Sequence, residues 1–314
     1  MLKKLTQFVS DPSVRTFYFH SKHLLDCLDD KTLTQLVFKA KLGYPINLTH
    51  PQSFNEKVSW QKLYDRDPRY TQMVDKYQAK EYAGHIIGEE HIIPTIGLWN
   101  SVDEIDFDSL PDKFVLKCTH DSGGTVVCRD KNTLDINSAK KKLNYYLHRN
   151  YYKLWREWPY KDVPHKIIAE ILIEDDSSDS ESNELTDYKF YCFNGKAEFM
   201  YISKGLTNHA TAVMSFYDFN GNELPFKRSD YRSYQNAPMP ANLQEMITIA
   251  NHLAEDINSL FVRVDLYSVN GCIYFSEITF SPCAGMTPFE PAEYDFELGE
   301  MINMSGSKFK QENK

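Results

Sequence analysis

Three charged residues, Arg263, Asp265 and Glu277, stand within apolar runs between Phe261 and Thr287, FVRVDLYSVNGCIYFSEITFSPCAGMT. A charge on a strand near a core must be paired, solvated or bound to a metal. Two carboxylates and an arginine on adjacent strands can hold Mg²⁺ and the phosphates it bridges, because Mg²⁺ sites use one or two carboxylates plus substrate phosphates. Solvated charges on an ordinary surface hairpin are the competing reading, since half-exposed strands carry such residues routinely.

The strands that would position these groups follow from Asn270-Gly271, a hairpin turn signal flanked by β-branched and aromatic runs. Side chains alternate faces along a strand, so Arg263 shares a face with Asp265, and Glu277 with Thr279. A two-residue turn would set Glu277 opposite Val264, on the wrong face. A three-residue loop, Val269-Asn270-Gly271 with Gly271 as a left-handed bulge residue, sets Glu277 opposite Arg263 and diagonal to Asp265. The sequence therefore predicts the bulged turn.

Other candidate groups lie upstream. Lys76 and Lys80 fall one turn apart in a helix expected over Thr71 to Tyr82. Taken alone they read as solvated lysines. Phe114 to Cys118 and Thr125 to Cys128 read as strands around the loop Thr119 to Gly124, which contains HDSGG. Its glycines permit close backbone approach to a phosphate, and Lys117 ends the strand beside it. This is no P-loop, since GxxxxGK[ST] is absent and a strand follows. Most such loops are simple hairpin turns.

The frame around these groups is mixed. Residues 1 to about 75 have helical spacing, and Ser53 three residues before Glu56 forms a capping-box pattern. Ser138 to Trp158 reads as a helix with a tyrosine- and tryptophan-rich face that packs on a sheet. Lys166 to Ile173 is an apolar strand interrupted by Glu170. Glu174 to Glu184, EDDSSDSESNE, reads as a mobile surface loop. Asn194-Gly195 and Asn220-Gly221 mark two more hairpins, with Lys189 on the face opposite Tyr188 and Phe190. Asn242 to Leu260 is an amphipathic helix. The last 25 residues read as a polar helix or tail.

The 314 residues are 42% apolar and 25% charged, as in a globular protein with a substantial core. A net charge of −9 argues against nucleic-acid binding through a basic field. The six cysteines form no CxxC pair, which gives neither a structural zinc nor a disulfide framework and points to reduced thiols in a cytoplasmic protein. No 18-residue apolar span or signal peptide is found, so no transmembrane segment is expected. Peripheral membrane contact through the first helix stays open.

Taken in order, the chain resembles the ATP-grasp superfamily, and within it the TupA-like ATP-grasp family of polysaccharide biosynthesis proteins. The resemblance runs from about Ser53 to Phe289. It rests on SFNEKVSWQKLYDRDPRY, VDKYQAKEY, FVLKCTHDSGG, the stretch Glu157 to Glu170, DYKFYCFNGK, RVDLY and SEITFSP. It implies an α+β fold of two mostly antiparallel subdomains clasping a nucleotide, divided as a helical region 1–75, a small subdomain 76–168 with the phosphate loop, and a large subdomain 169–314 with the metal site.

Position by position, Lys76 and Lys117 match the lysines that contact ATP phosphates. His120, Asp121, Ser122, Gly123 and Gly124 match the loop covering them. Glu170 with Ile171, Leu172 and Ile173 matches the segment holding adenine and ribose, and Lys189 lies on a strand that can face the nucleotide. Asp265 and Glu277 match the Mg²⁺ ligands, Arg263 the arginine that steadies the transferred phosphate. Thr279 falls where many members have a metal-binding Asn. Ser281 to Thr287 resembles the loop that meets the acceptor in amino-acid ligases.

The activity implied is an ATP- and Mg²⁺-dependent carboxylate–amine ligation through an acylphosphate, joining an amino acid to a uronic-acid sugar in cell-surface polysaccharide assembly. Two other readings stand beside it. One is a glycosyltransferase using a nucleotide sugar, although the formal DxD at Asp106-Phe107-Asp108 sits in a loop far from the hairpin. The other is a non-catalytic nucleotide-binding partner. The carboxylate, the amine and the oligomeric state are not legible in the sequence.

Overall fold

A computed structural model describes residues 11–175, 184–206 and 211–306. Eleven strands occur among them: β1 (Thr95–Trp99), β2 (Phe114–Cys118), β3 (Thr125–Cys128), β4 (Ile167–Ile171), β5 (Asp187–Phe193), β6 (Lys196–Lys204), β7 (Val213–Tyr217), β8 (Lys227–Arg228), β9 (Phe261–Val269), β10 (Cys272–Thr279) and β11 (Phe289–Glu290). They form a four-stranded sheet in the order β1-β4-β2-β3, a five-stranded sheet in the order β10-β9-β5-β6-β7, and a β8–β11 pair. Every pairing between these strands is antiparallel. The small sheet ends with β4, so the division between sheets falls after Ile171.

The five-stranded sheet is covered on both faces, which explains its near-continuous apolar strands. One face, presenting Phe190, Ile202, Val264 and Ile278, packs against the helices Arg69–Val74, Gln78–Ile87 and Leu243–Ile257. The other presents Tyr191, Phe193, Phe199 and Phe261 to the helices Asp30–Leu42 and Phe54–Tyr64. The amino-terminal helical region is thus a wall of the large sheet. The small sheet packs Phe114, Leu116, Ile167 and Ala169 against Leu143 and Leu147 of the helix Ile136–Leu147.

Phe54–Tyr64 starts at the expected capping box: Ser53 accepts from the Glu56 amide, and Glu56 accepts from the Ser53 amide. Its polar side chains are buried because they pair with backbone, satisfying groups that would otherwise be costly. Gln61 brackets Phe261, donating to its carbonyl at 2.8 Å and accepting from its amide at 2.9 Å. Asn55 treats Thr287 the same way, at 2.8 and 2.6 Å. One helix therefore fixes both the start of β9 and the loop after β10.

Three expected elements differ. The helix over Thr71 to Tyr82 is broken between Val74 and Gln78, where the Asp75 carboxylate accepts from the amides of Tyr77 and Gln78. The helix over Ser138 to Trp158 breaks at His148–Asn150, and Asn150 caps a short second helix, Tyr151–Trp155. Asn220-Gly221 forms a turn knitted by Asp218, with a single bridge between Tyr217 and Glu223 instead of a two-stranded hairpin. Of the acidic stretch Glu174 to Glu184, residues 176–183 lie outside the described residues; Glu174 is paired with Lys113 and Arg129. In the carboxyl-terminal stretch the described residues hold a short helix, Tyr294–Glu300, while 307–314 lie outside them. No helix among the described residues is long and apolar enough to cross a membrane.

Candidate active site

The hairpin reaches the expected facing by a different route. Asn270 and Gly271 form a two-residue turn with φ of 50° and 80°, and Val269 pairs with Cys272. Both central residues at positive φ match the twist of the flanking strands. The compensating extra residue sits in mid-strand: Phe275 pairs with Leu266 and Glu277 with Asp265, leaving Ser276 as the bulge. Glu277 therefore lies opposite Asp265, and Thr279 opposite Arg263. The predicted three-residue turn is wrong, because a turn with Gly at its second position is already satisfied by two residues.

These side chains form a continuous network. Arg263 donates to the two Asp265 oxygens at 2.6 and 2.7 Å and to Thr279 Oγ1 at 2.9 Å. Thr279 in turn donates to Glu277 Oε1 at 2.9 Å. Lys189, on the neighbouring β5 and facing away from the apolar positions of Tyr188 and Phe190, donates to Asp265 Oδ2 at 2.6 Å and pairs with Asp187 at 3.1 Å. Burial would raise the Glu277 carboxyl, but Lys76, Arg263 and Lys189 hold it down to about 2. Burial would lower Arg263; Asp265, Tyr201 and Glu277 push it well above the usual guanidinium range.

Lys76 lies in the break between two helices, not one helical turn from Lys80 on a shared face. Its amide donates to the Thr119 carbonyl at 3.0 Å and its Nζ to the Asp121 carbonyl at 2.8 Å, docking it against the glycine loop. Lys80 is buried, not solvated: its Nζ meets Glu170 Oε1 at 2.5 Å, while Lys117 meets Glu170 Oε2 at 2.5 Å. Burial would raise Glu170, yet the two lysines hold it down to about 2. Lys117 is raised because Glu170 outweighs its burial, whereas at Lys80 burial prevails and lowers it. Glu170 is thus engaged by lysines; Ile171 ends β4, and Leu172 and Ile173 follow it half-buried.

Within the loop, Ser122 reaches the cavity. His120 is buried and stacked on His165 at 3.6 Å between ring centroids; burial and His165 lower it to about 4. The Asp121 side chain is fully buried, with no hydrogen bond to either oxygen and Arg149 Nε at 3.5 Å. Burial lifts its carboxyl to about 6. A Cβ on Gly124 would stand 2.8 Å from Tyr146 Cβ, so only glycine lets the loop lie this close to its helix.

Where this loop meets the β9–β10 hairpin, Lys76, Ser122, Arg263, Glu277 and Thr279 line a cavity of about 430 Å³. That volume lies in the range of small-molecule sites. Lys189 and Asp265 stand behind Arg263. Among the described residues, no group of three His, Cys, Asp or Glu is placed to hold a metal. The oxygen-only set of Glu277, Thr279 and Asp265 fits a hard cation that takes its remaining ligands from phosphates. Glu277 is the open member, and Asp265 is committed to Arg263 and Lys189.

Sequence reasoning singled out neither Glu157, which lines the same cavity, nor Lys62, buried beside it. Glu157 only bounds the stretch Glu157 to Glu170 and carries no chemical signature of its own, and Lys62 reads as one more charge on an amphipathic helix.

Two antiparallel α+β units meeting at a cluster of lysines, arginine and carboxylates define an ATP-grasp protein. The sequence profile of the TupA-like ATP-grasp family matches residues 56–303, and the chain belongs to that family. No curated protein matches it. Among solved structures, D-alanine–D-alanine ligase from Bacillus anthracis complexed with ATP is 16% identical, with a TM-score of 0.41 over 73% of this chain and 63% of that one. The Helicobacter pylori D-alanine–D-alanine ligase is 16% identical, with a TM-score of 0.39 over 80% and 68%. N5-carboxyaminoimidazole synthetase from Staphylococcus aureus is 12% identical, with a TM-score of 0.36 over 66% and 44%. The chain spans less than two thirds of the length of the Bacillus anthracis protein.

Proposed function

We propose that this protein is an ATP- and Mg²⁺-dependent carboxylate–amine ligase that works through an acylphosphate. The observation that carries the reading is the half-exposed Glu277 carboxylate at the wall of a ligand-sized cavity, with Arg263 Nη2 at 3.6 Å and the charges of Lys76 and Lys189 helping to keep it ionised. Phosphoryl transfer needs positioning and charge neutralisation more than a protein nucleophile. Lys76 and Lys117 clamp the phosphates, residues 120–124 cover them, and Arg263 steadies the group in transfer. Glu170 through Ile173 border the nucleoside. Glu277, with Thr279 and Asp265, would hold Mg²⁺, whose chemistry there is to bridge and neutralise phosphate oxygens. The family resemblance extends the reading to cell-surface polysaccharide assembly, with a uronic-acid carboxylate and an amino-acid amine as the pair joined.

The commitment of both Asp265 oxygens to Arg263 and Lys189 favours one other reading, a nucleotide-binding partner without turnover. Thermal-shift titration with ATP and with UDP-sugars, each with and without Mg²⁺, tests both the ligase and the transferase alternatives. Ligand at a hundredfold excess over Kd stabilises the fold by about 2.7 kcal/mol. An ATP shift that needs Mg²⁺ and is lost in Glu277→Ala is expected, together with loss of ATP turnover in Lys117→Ala. A shift with a UDP-sugar and none with ATP overturns the ligase; ATP binding without turnover across a broad acceptor panel selects the partner.

A further inference from the structure

A second concavity shares no lining residue with the cavity of the candidate active site. It is a surface groove of about 490 Å³ between the turn carrying His23 and Asp26 and the break at 148–150 that joins the helices Ile136–Leu147 and Tyr151–Trp155. Arg149 and Lys153 line it, and Tyr145, 66% exposed, gives it a flat aromatic wall. Its one carboxylate, Asp26, accepts from His23 Nδ1 at 3.2 Å. Among the described residues neither the Arg149 guanidinium nor the Lys153 ammonium donates a hydrogen bond. Arg149 lies instead over the rings of Tyr146 and Tyr151, at 5.4 and 6.0 Å, with its Nε 3.5 Å from Asp121 Oδ2. An arginine and a lysine with open donors fit an oxyanion, the arginine by a two-pronged contact. The volume admits a body the size of a sugar ring beside it. We propose that this groove is a regulatory site for a small sugar-sized ligand carrying a phosphate, bound by Arg149 and Lys153, and that its occupation opposes ATP by contending with Asp121 for the Arg149 guanidinium.

The opposition to ATP rests on the ligase reading, which sets residues 120–124 over the phosphates; binding in the groove does not. The Asp121 side chain is fully buried, and neither of its oxygens accepts a hydrogen bond. The cations acting on it are Arg149 and Lys76, and the Lys76 Nζ is engaged by the Asp121 carbonyl at 2.8 Å. A buried carboxylate without hydrogen bonds depends on the cations beside it. A phosphate on Arg149 sets a second negative charge against the same guanidinium, so each anion weakens the hold of the other. The loop is seated on this segment through its other residues too: His120 Nε2 meets the Arg149 carbonyl at 3.2 Å, and Gly124 lies against Tyr146. An anion in the groove therefore loosens the seat of the loop that covers the phosphates. By the reciprocity of linked equilibria, ATP weakens the groove ligand by the same factor.

The probe is glucose 1-phosphate, with glucose as its uncharged counterpart, each titrated by saturation-transfer NMR into the full-length protein without nucleotide. Wild type is expected to bind the phosphate and not glucose. Lys153→Gln, an exposed substitution, and Arg149→Gln each weaken that binding by about tenfold. Asp121→Asn, which removes the rival anion, tightens it. With glucose 1-phosphate present, the apparent Kd of ATP–Mg²⁺ rises by about fivefold and levels off at saturation, and the rise disappears in Asp121→Asn. Cooperative melting of each variant establishes that it is folded; if Arg149→Gln is not, Lys153→Gln and Asp121→Asn still decide. No binding to wild type, equal binding of glucose, or binding unchanged in a folded Lys153→Gln overturns the groove site. An ATP Kd that stays put, or that climbs without levelling off as for two ligands sharing one site, overturns the regulation. Absence of the ATP–Mg²⁺ shift in wild type strikes the ligase reading itself, while the nucleotide-free titration still judges the groove, so the two failures are told apart.

Discussion

Glu277 stands directly across the ladder from Asp265, although the turn that joins their strands would set it opposite Val264; the bulge at Ser276 makes the difference. The ladder pairs regularly on either side of that residue. Deleting Ser276 therefore closes the bulge and keeps Glu277 opposite Asp265. The deletion variant is expected to retain the Mg²⁺-dependent ATP shift with an affinity within roughly tenfold of wild type. Loss of that shift in a folded deletion variant would show that the bulge itself, and not the register it restores, shapes the site.

Glu170 is the common partner of Lys80 and Lys117. Replacing it with Gln leaves Lys80 buried without its counter-charge, a change that costs about 3 kcal/mol by comparison with other broken buried pairs. Urea unfolding of Glu170→Gln measures this directly. A loss under about 1 kcal/mol would mean that the lysines find other partners.

Asp121 carries a pH signature. Its folded-state value of about 6 lies above the roughly 3.9 of an unfolded chain, so its contribution favours the fold at low pH. That contribution is complete below about pH 4 and is lost as pH rises through about 6. Asp121→Asn is expected to stabilise the protein by about 1–2 kcal/mol at pH 8, part of the gain being offset by the lost Arg149 pairing, and to change little at pH 4. Melting curves at the two pH values check it; equal effects at both would remove the titration as the cause.

Gln61 holds the amide and carbonyl of Phe261 at the start of β9. Gln61→Leu strands two buried backbone groups and is expected to cost about 2–4 kcal/mol. Because Arg263 follows two residues later, the ATP shift should weaken along with stability. A folded variant with unchanged midpoint would show that the strand holds its own course.

The candidate site was legible where chemistry and alternation coincide. Arg263, Asp265 and Glu277 were readable from charges on apolar strands, and the strand–loop–strand around HDSGG from its glycines. The position of the bulge was not, because Ser276 is compatible with a regular strand and the side-chain period fixes only an odd count between turn and site. Lys80 was misread as solvated, and the pairing of Glu170 was missed, for another reason. Each looks solvated or ligand-facing in its own segment, and their pairing joins positions 80 and 170, a distance that local pattern does not span. Gln61, Asn55 and Lys62 were hidden the same way: buried polar side chains on a helix are told from solvated ones only by the backbone they bracket. The break at Asp75 followed from a side-chain bond to the next two amides, a local competitor that apolar spacing does not register.

The short bond between Lys117 and Glu170 also bears on turnover. In the proposed ligase, a phosphate that takes Lys117 would have to displace a carboxylate already seated there, so nucleotide affinity would reflect an exchange of anions and be lower than the same lysine would give if it stood free. When product phosphates departed, Glu170 would recapture the lysine, and the departing anion would leave no bare charge behind it. The resting pair would thereby act as an internal competitor that weakens retention of the spent nucleotide.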